Sequence, residues 1–162
     1  MAMTQGKLKE LYTYNPETGE FVSRVDRGRV KIGDISGCAN SNGYLQIMYK
    51  GAHYKLHRLV FLYMEGFMPD CDVDHINKNK KDNRWCNLRK ATRQQNMANI
   101  SAQANNSTGF KGVKKSATKG KYIAQICVSR NVRYLGTFDT PEEAHQCYIS
   151  EARKSFKQFA SA

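Results

Sequence analysis

Apolar side chains in this sequence recur at every second position, in short runs closed by turn residues. That period governs most of what the chain can become, because a strand sends successive side chains to opposite faces and a period of two marks half-buried antiparallel strands. Leu45, Ile47 and Tyr49 share one face of such a run, and Lys50-Gly51-Ala52 allows a hairpin back through Tyr54 and Leu56. Upstream, Asn15-Pro16-Glu17-Thr18-Gly19 is a turn leading into Phe21-Val22-Ser23-Arg24-Val25. The same period returns late in the chain. Phe110 to Lys115, Lys121 to Ser129 and Val132 to Phe138 read as three strands, with Tyr122, Ala124, Ile126 and Val128 on one face of the second.

Helix signals interrupt the strands at three places. His57 to Glu65 is a short buried helix stopped by Gly66 and Pro69. Thr92 with Gln95 three positions on forms a capping box, which starts a helix that carries Asn96 and runs to about Gln103. Thr140-Pro141-Glu142-Glu143 combines an N-cap, Pro at N1 and Glu at N3. The helix it starts places Ala144, Cys147, Tyr148, Glu151, Ala152 and Ser155 near one stripe able to lie against a sheet. Between the second and third helix stands a polar, Gly-ended stretch, 104–109, the best linker in the chain. The expected class is α+β: a small antiparallel sheet with helices over 1–103, then a three-stranded sheet plus helix over 110–162.

Charge narrows the partner. The chain of 162 residues carries 26 Lys+Arg against 14 Asp+Glu, a formal net charge of +12. The excess is clustered in 78–93, where Asp82 is the one acid, and in 111–133, which has none. Two separated basic patches suit a partner with closely spaced negative charge, nucleic acid first among them. A membrane-surface role needs a basic amphipathic helix with a strong apolar face, which neither patch has. No stretch approaches the roughly 18 to 20 apolar residues that cross a bilayer. Met1 to Lys7 lacks the apolar segment of a secretory signal, so a cytoplasmic protein is expected. Cys38, Cys71, Cys86, Cys127 and Cys147 are scattered without a C-x-x-C pair and read as reduced and mostly buried, not as a disulfide or zinc framework.

One polar constellation could do chemistry. Asp74 and His75 are adjacent at a strand end, Asn87 follows in a Lys/Asn-rich loop, and Asn96 comes from the next helix. Oxygens of Asp74 and Asn96, completed by water and phosphate, would suit one divalent Mg or Mn ion better than zinc. His75 could take a proton from water near neutral pH, and Asn87 could hold its tautomer. By themselves an Asp-His pair and an Asn-rich loop are more often ordinary turns and caps. His53 and His57 read as packing or hydrogen-bonding side chains, and His145, on a helix surface next to Glu142 and Glu143, is assigned no role. Trp85 reads as a rim of the core or as a platform for a base.

The motifs His57-Arg58-Leu59-Val60, Val73-Asp74-His75-Ile76-Asn77, Lys81-Asp82-Asn83-Arg84, Asn87-Leu88-Arg89 and Ala91-Thr92 through Asn96 resemble the HNH endonucleases of phages and mobile introns. The resemblance covers about residues 10 to 100. It implies a ββα-metal motif gripping one divalent ion, with Asp74 and Asn96 as metal ligands, His75 as general base and Asn87 as the residue that orients it. Arg84, Arg89, Lys90 and Arg93 would hold the scissile strand. Asp74 and Asn96 stand where relatives put His in the first and last motif positions, a variant of phage homing enzymes.

The tail resembles a second family. Phe110-Lys111-Gly112-Val113-Lys114, Tyr122-Ile123-Ala124-Gln125-Ile126 and Leu135-Gly136-Thr137-Phe138-Asp139-Thr140-Pro141-Glu142-Glu143-Ala144 are similar to the APETALA/ethylene-response-factor DNA-binding domain of plants. That resemblance implies a sheet laid in the major groove, with Lys111, Lys114, Tyr122, Gln125, Arg133 and Tyr134 facing DNA. Tyr122 and Tyr134 stand where plant members usually carry Trp, and Lys replaces Arg, which favours phosphate anchoring over base readout. Together the resemblances imply a metal-dependent homing-type DNA endonuclease, acting in the host cytoplasm if phage-encoded, as monomer or homodimer. The rivals are a DNA-binding regulator with an inactive nuclease half and a nonspecific degradative nuclease.

Overall fold

The computed structural model describes residues 2–102 and 106–160 of the chain, which divide into two compact units, Met1–Ala91 and Thr92–Ala162. The division falls just before the Thr92–Gln95 capping box, ahead of the 104–109 linker expected from composition. Residues 104 and 105 of that linker, and Gln103, the expected end of the helix before it, lie outside the described residues.

Unit 1 opens with α1 (Gln5–Leu11), capped by the Thr4 hydroxyl, which accepts from the Lys7 amide. Two three-stranded antiparallel sheets follow: β1 (Tyr12–Tyr14), β2 (Phe21–Ser23) and β3 (Ile35–Ser36), then β4 (Cys38–Ala39), β5 (Leu45–Tyr49) and β6 (Ala52–Lys55). The β5–β6 loop is Lys50-Gly51, with φ of +48° and +78°. Two consecutive left-handed residues are what a tight two-residue hairpin requires, and Gly51 adopts that region without steric cost. α2 (Leu56–Glu65) buries Leu56, His57, Leu59, Val60, Phe61 and Leu62, and ends at Gly66. Its apolar face joins Leu8, Leu11, Tyr12, Tyr14, Phe21, Ile47, Val73 and Leu88 in one core. Each such aliphatic side chain, once fully buried, contributes roughly 1.5–3 kcal/mol. The hairpin of β7 (Asp72–His75) and β8 (Leu88–Ala91) completes the unit, with Asp74 opposite Arg89 and His75 opposite Leu88.

Unit 2 begins with α3 (Arg93–Asn99), whose Thr92–Gln95 capping box is made in both directions. Along the chain β7, β8 and α3 follow one another, the order a ββα motif demands. A sheet of order β11-β10-β9 comes next, from β9 (Val113–Lys115), β10 (Tyr122–Val128) and β11 (Asn131–Phe138). α4 (Pro141–Phe156) covers one face of it, started by the Thr140–Glu143 capping box with Pro141 at the first turn. Ala144, Ala124 and Val113 form the buried contact, flanked by Phe110, Tyr122, Leu135, Phe138 and Cys147.

The chain is thus α+β, built from small antiparallel sheets and helices, as the sequence predicts. Four local expectations are corrected. α1 forms where no helix was expected, and β8 supplies the second strand that the residue pattern alone did not show. α3 ends at Asn99 with Ile100 as its C-cap. The first tail strand pairs only from Val113, because Phe110 to Val113 closes as a turn. The five cysteines are free as expected, but none is buried: Cys38, Cys86 and Cys127 are exposed and Cys71 and Cys147 half-buried.

Candidate active site

The end of β7 buries two polar side chains, Asp74 at 5% exposure and His75 at 4%. They stay there because partners meet them. The Arg89 guanidinium, directly across the hairpin, donates from Nε to Asp74 Oδ2 at 2.8 Å and pairs through a second nitrogen at 2.7 Å. A carboxylate and guanidinium this well buried need one another, since either alone would leave an uncompensated charge. His75 Nε2 lies 3.3 Å from Asn83 Oδ1. Burial lowers the His75 pKa from its ordinary value, opposed by the Asn83 hydrogen bond and by the Asp74 charge. A neutral imidazole beside a carboxylate is a proton acceptor at physiological pH.

Behind His75 stands His57 of α2, which is also buried. The two rings meet edge to face with centroids 5.2 Å apart, and Tyr44 lies beside both, 5.0 Å from His57 and 6.0 Å from His75. Burial, then the neighbouring His75, pushes the His57 pKa down to about 3, and its Nδ1 is buried without a hydrogen-bond partner. This is the packing histidine that the sequence suggests.

The loop between β7 and β8 is held by Asn87. Its Oδ1 accepts from the Asn77 amide at 3.0 Å, and its Nδ2 donates to Asn77 Oδ1 at 3.0 Å and to the Asp82 carbonyl at 2.8 Å. Asn87 was expected to orient the imidazole. Its amide instead serves the loop, and Asn83 presents its oxygen to His75. The physical reason is register: Asn87 lies in a 3-10 turn (Trp85–Asn87) that faces the loop backbone. Sequence reasoning missed Asn83, which is 1% exposed, because an Asn in a Lys/Asn-rich loop carries no local sign of burial. Trp85 rims the core, 5.0 Å from Phe61, so its stacking role is replaced by packing.

The basic residues expected around the site are largely engaged. Arg84 is paired with Asp82 at 2.7 Å, which holds the Asp82 carboxyl down at about 2, and Arg89 is paired with Asp74. Lys90 is paired with Glu65 at 2.6 Å and lies over the Phe61 and Phe67 rings. Arg93 is the exposed first residue of α3, and Asn96 sits half-buried one turn on, its amide bonded to the Thr92 carbonyl.

For a divalent ion, the donor chemistry in unit 1 is the Asp74 carboxylate, a hard oxygen ligand that fits Mg or Mn rather than a softer metal. No three His, Cys, Asp or Glu side chains converge into a metal cage among the described residues.

In unit 2 the sheet sorts the expected DNA-facing residues by side. A register shift between Ala124 and Gln125 sets Tyr134 opposite Gln125 and Arg133 opposite Ile126. Directly opposed residues share a face. Lys114, Gln125 and Tyr134, the last 63% exposed, therefore stand on the face away from α4. Three expectations are corrected. Tyr122 packs into the sheet–helix core. Arg133 turns to α4 and pairs with Glu151 at 2.5 Å. Lys111 donates to the carbonyls of Met97, Ala98 and Ile100, capping the end of α3. His145 stacks on Tyr148 and faces the Lys111 carbonyl at 3.0 Å.

Residues 54–98 match a family described as HNH endonuclease. An uncharacterized HNH endonuclease of Acanthamoeba polyphaga mimivirus is 36% identical over 122 residues, covering 74% of this chain and 62% of the relative. A solved structure on DNA binding and cleavage by the HNH homing endonuclease I-HmuI is 28% identical, with a TM-score of 0.39, over 53% of this chain and 49% of that one. The chain thus spans less than two thirds of the length of each. No helix among the described residues is long and apolar enough to cross a membrane.

Proposed function

With residues 54–98 matching the HNH endonuclease family, we propose that the chain is a metal-dependent DNA endonuclease of homing type that hydrolyses a phosphodiester in duplex DNA. The observation that carries this reading is the buried Asp74–His75 pair at the end of β7, inside the matched segment. His75, kept neutral by burial, takes the proton from the attacking water. Asp74 and Asn96 would hold one Mg or Mn ion, which supplies charge stabilisation at the phosphate and leaving oxygen. Arg89 fixes the Asp74 carboxylate through Oδ2, and Asn87 keeps the loop between the strands folded.

Unit 2 is an APETALA-like DNA-holding module. Its open sheet face carries Lys114, Gln125 and Tyr134, and the exposed Arg93 of α3 adds positive charge. A site of this size serves one strand per engagement, so cutting both needs a second copy or a second visit. The test is supercoiled plasmid incubated with the full chain and Mg or Mn: nicked or linear product is expected, and none with chelator. Intact plasmid in every divalent metal tried would overturn the enzyme and leave a DNA-binding protein.

A further inference from the structure

The β1–β2 turn, outside the matched segment, is locked onto the loop that carries Asn83. The Tyr14 hydroxyl donates to the Asn83 carbonyl at 2.7 Å in a buried hydrogen bond. The Trp85 amide donates to the Pro16 carbonyl at 3.0 Å. Gly19, at φ +78°, lies so close that a Cβ there would sit 2.5 Å from the Asn83 carbonyl carbon and the Arg84 nitrogen. Backbone cannot yield as a side-chain end can, so only glycine permits this approach. Asn83 is consequently held from two sides, by its own backbone and by the turn.

Its side chain has a determined orientation as well. Asn83 Nδ2 donates to the Lys81 carbonyl at 3.3 Å, so the amide oxygen is the atom turned to His75 Nε2. An amide oxygen only accepts, so Nε2 must carry the hydrogen. With the proton on Nε2, Nδ1 is the basic nitrogen of the ring.

We infer that Asn83 is a positioning residue that fixes His75 as its Nε2–H tautomer, and that Tyr14 and Gly19 hold Asn83 in place for that task. This rests on His75 being the general base of the proposed nuclease. The inference adds a residue and a direction. The segment before the family match is part of the machinery, because it sets the geometry through which the base is presented. It also separates two asparagines of one loop: Asn87 keeps the loop folded and Asn83 selects the tautomer.

The experiment is nitrogen-15 imidazole spectroscopy of the full chain with labelled histidine, the His75 signal being the one lost in His75→Gln, alongside single-site cleavage kinetics. The wild type is expected to show Nε2–H at His75. Asn83→Ala should relax the ring toward a tautomer mixture and lower kcat by roughly 10²-fold, a share of what a general base supplies, with KM for DNA unchanged. Asn83→Asp, which keeps an acceptor at the same place, should retain Nε2–H and most of the turnover. Tyr14→Phe should lower kcat by about 10-fold through the loosened Asn83 backbone, again at constant KM. Should Asn83→Ala fail to fold, Asn83→Asp and Tyr14→Phe carry the test.

An Nδ1–H tautomer in the wild type overturns the inference. So does an Asn83→Ala chain with unchanged tautomer and kcat, and so does a loss confined to KM, which would make Asn83 a DNA contact. Correct tautomers throughout with no cleavage by the wild type would sink the nuclease reading instead and leave the tautomer assignment standing.

Discussion

Ser23, Ser36, His57, Asp74, His75, Asn83 and Asn87 are buried polar residues of Met1–Ala91, whereas Asn99 is the one such residue described in Thr92–Ala162. Unit 1 spends hydrogen bonds and ion pairs keeping polar groups inside. Unit 2 leaves its polar groups on a sheet face or pairs them across its surface. Burying a polar group costs about 1–3 kcal/mol when it goes unpaired. A small unit that nonetheless buries an Asp, two His and two Asn around one hairpin holds them in fixed geometry, which is what proton transfer needs and surface adhesion does not. Under the proposed function, this is the contrast expected between a site that reacts and a surface that holds.

The sharpest way to break that division is His75→Ala. Cleavage should fall by roughly 10²- to 10⁴-fold or more, the share a general base supplies, while duplex affinity stays within about 2-fold. Affinity by fluorescence anisotropy and cleavage by gel, on the same preparation, check both halves. A variant that lost binding in step with cutting would place His75 in the adhesive surface and erase the contrast.

How much of this could be read in advance follows the same division. The β5–β6 hairpin, α2 and both capping boxes were legible, because their signals are local: a period of two, Lys50-Gly51, Thr92 with Gln95, Thr140 with Glu143. The Asp74–His75 pair was legible as motif. Asn83 was not, since its burial is made by Tyr14 and Gly19, more than sixty residues earlier in the chain. For the residues expected to meet DNA, the sheet face was half legible. Simple alternation places Tyr134 and Arg133 on opposite faces, but which faces depends on the register shift at Ala124/Gln125, and no residue announces a bulge of this kind. Lys111 looked like part of a basic patch, yet a Lys beside three orphan carbonyls at a helix end has a better use.

A second prediction sharpens the contrast through acid. His57 has an ordinary pKa near 6.5 in the unfolded chain and about 3 when folded, so between those values the unfolded state binds a proton that the folded state refuses. Stability is then fully present above pH 6.5 and declines as pH falls through the window. His57 alone should remove about 2 kcal/mol between pH 6.5 and 5, at about 1.4 kcal/mol per unit, and His75 is shifted in the same direction. In unit 2, burial moves the Tyr148 hydroxyl upward, away from the acid range. Hydrogen exchange at pH 7 and pH 5 should therefore show protection lost in unit 1 first. Equal loss in both units would mean that the buried histidines titrate freely.

The smallest expected effect lies within unit 2 and tests what its surface is for. Lys114 and Arg133 each carry one positive charge on the same sheet, on opposite faces, and Arg133 is already paired with Glu151. If the open face meets the duplex, Lys114→Ala removes one phosphate contact and should lower the slope of log affinity against log salt by about 1. Arg133→Ala deletes the same formal charge but breaks an exposed ion pair, worth no more than about 1 kcal/mol to the fold, and should leave the slope unchanged. The two variants have equal net charge, so a general field effect predicts equal slopes and a contact surface predicts unequal ones. Equal slopes, measured by titration of one duplex at several salt concentrations, would mean that unit 2 attracts DNA by charge alone and that its sheet has no binding face.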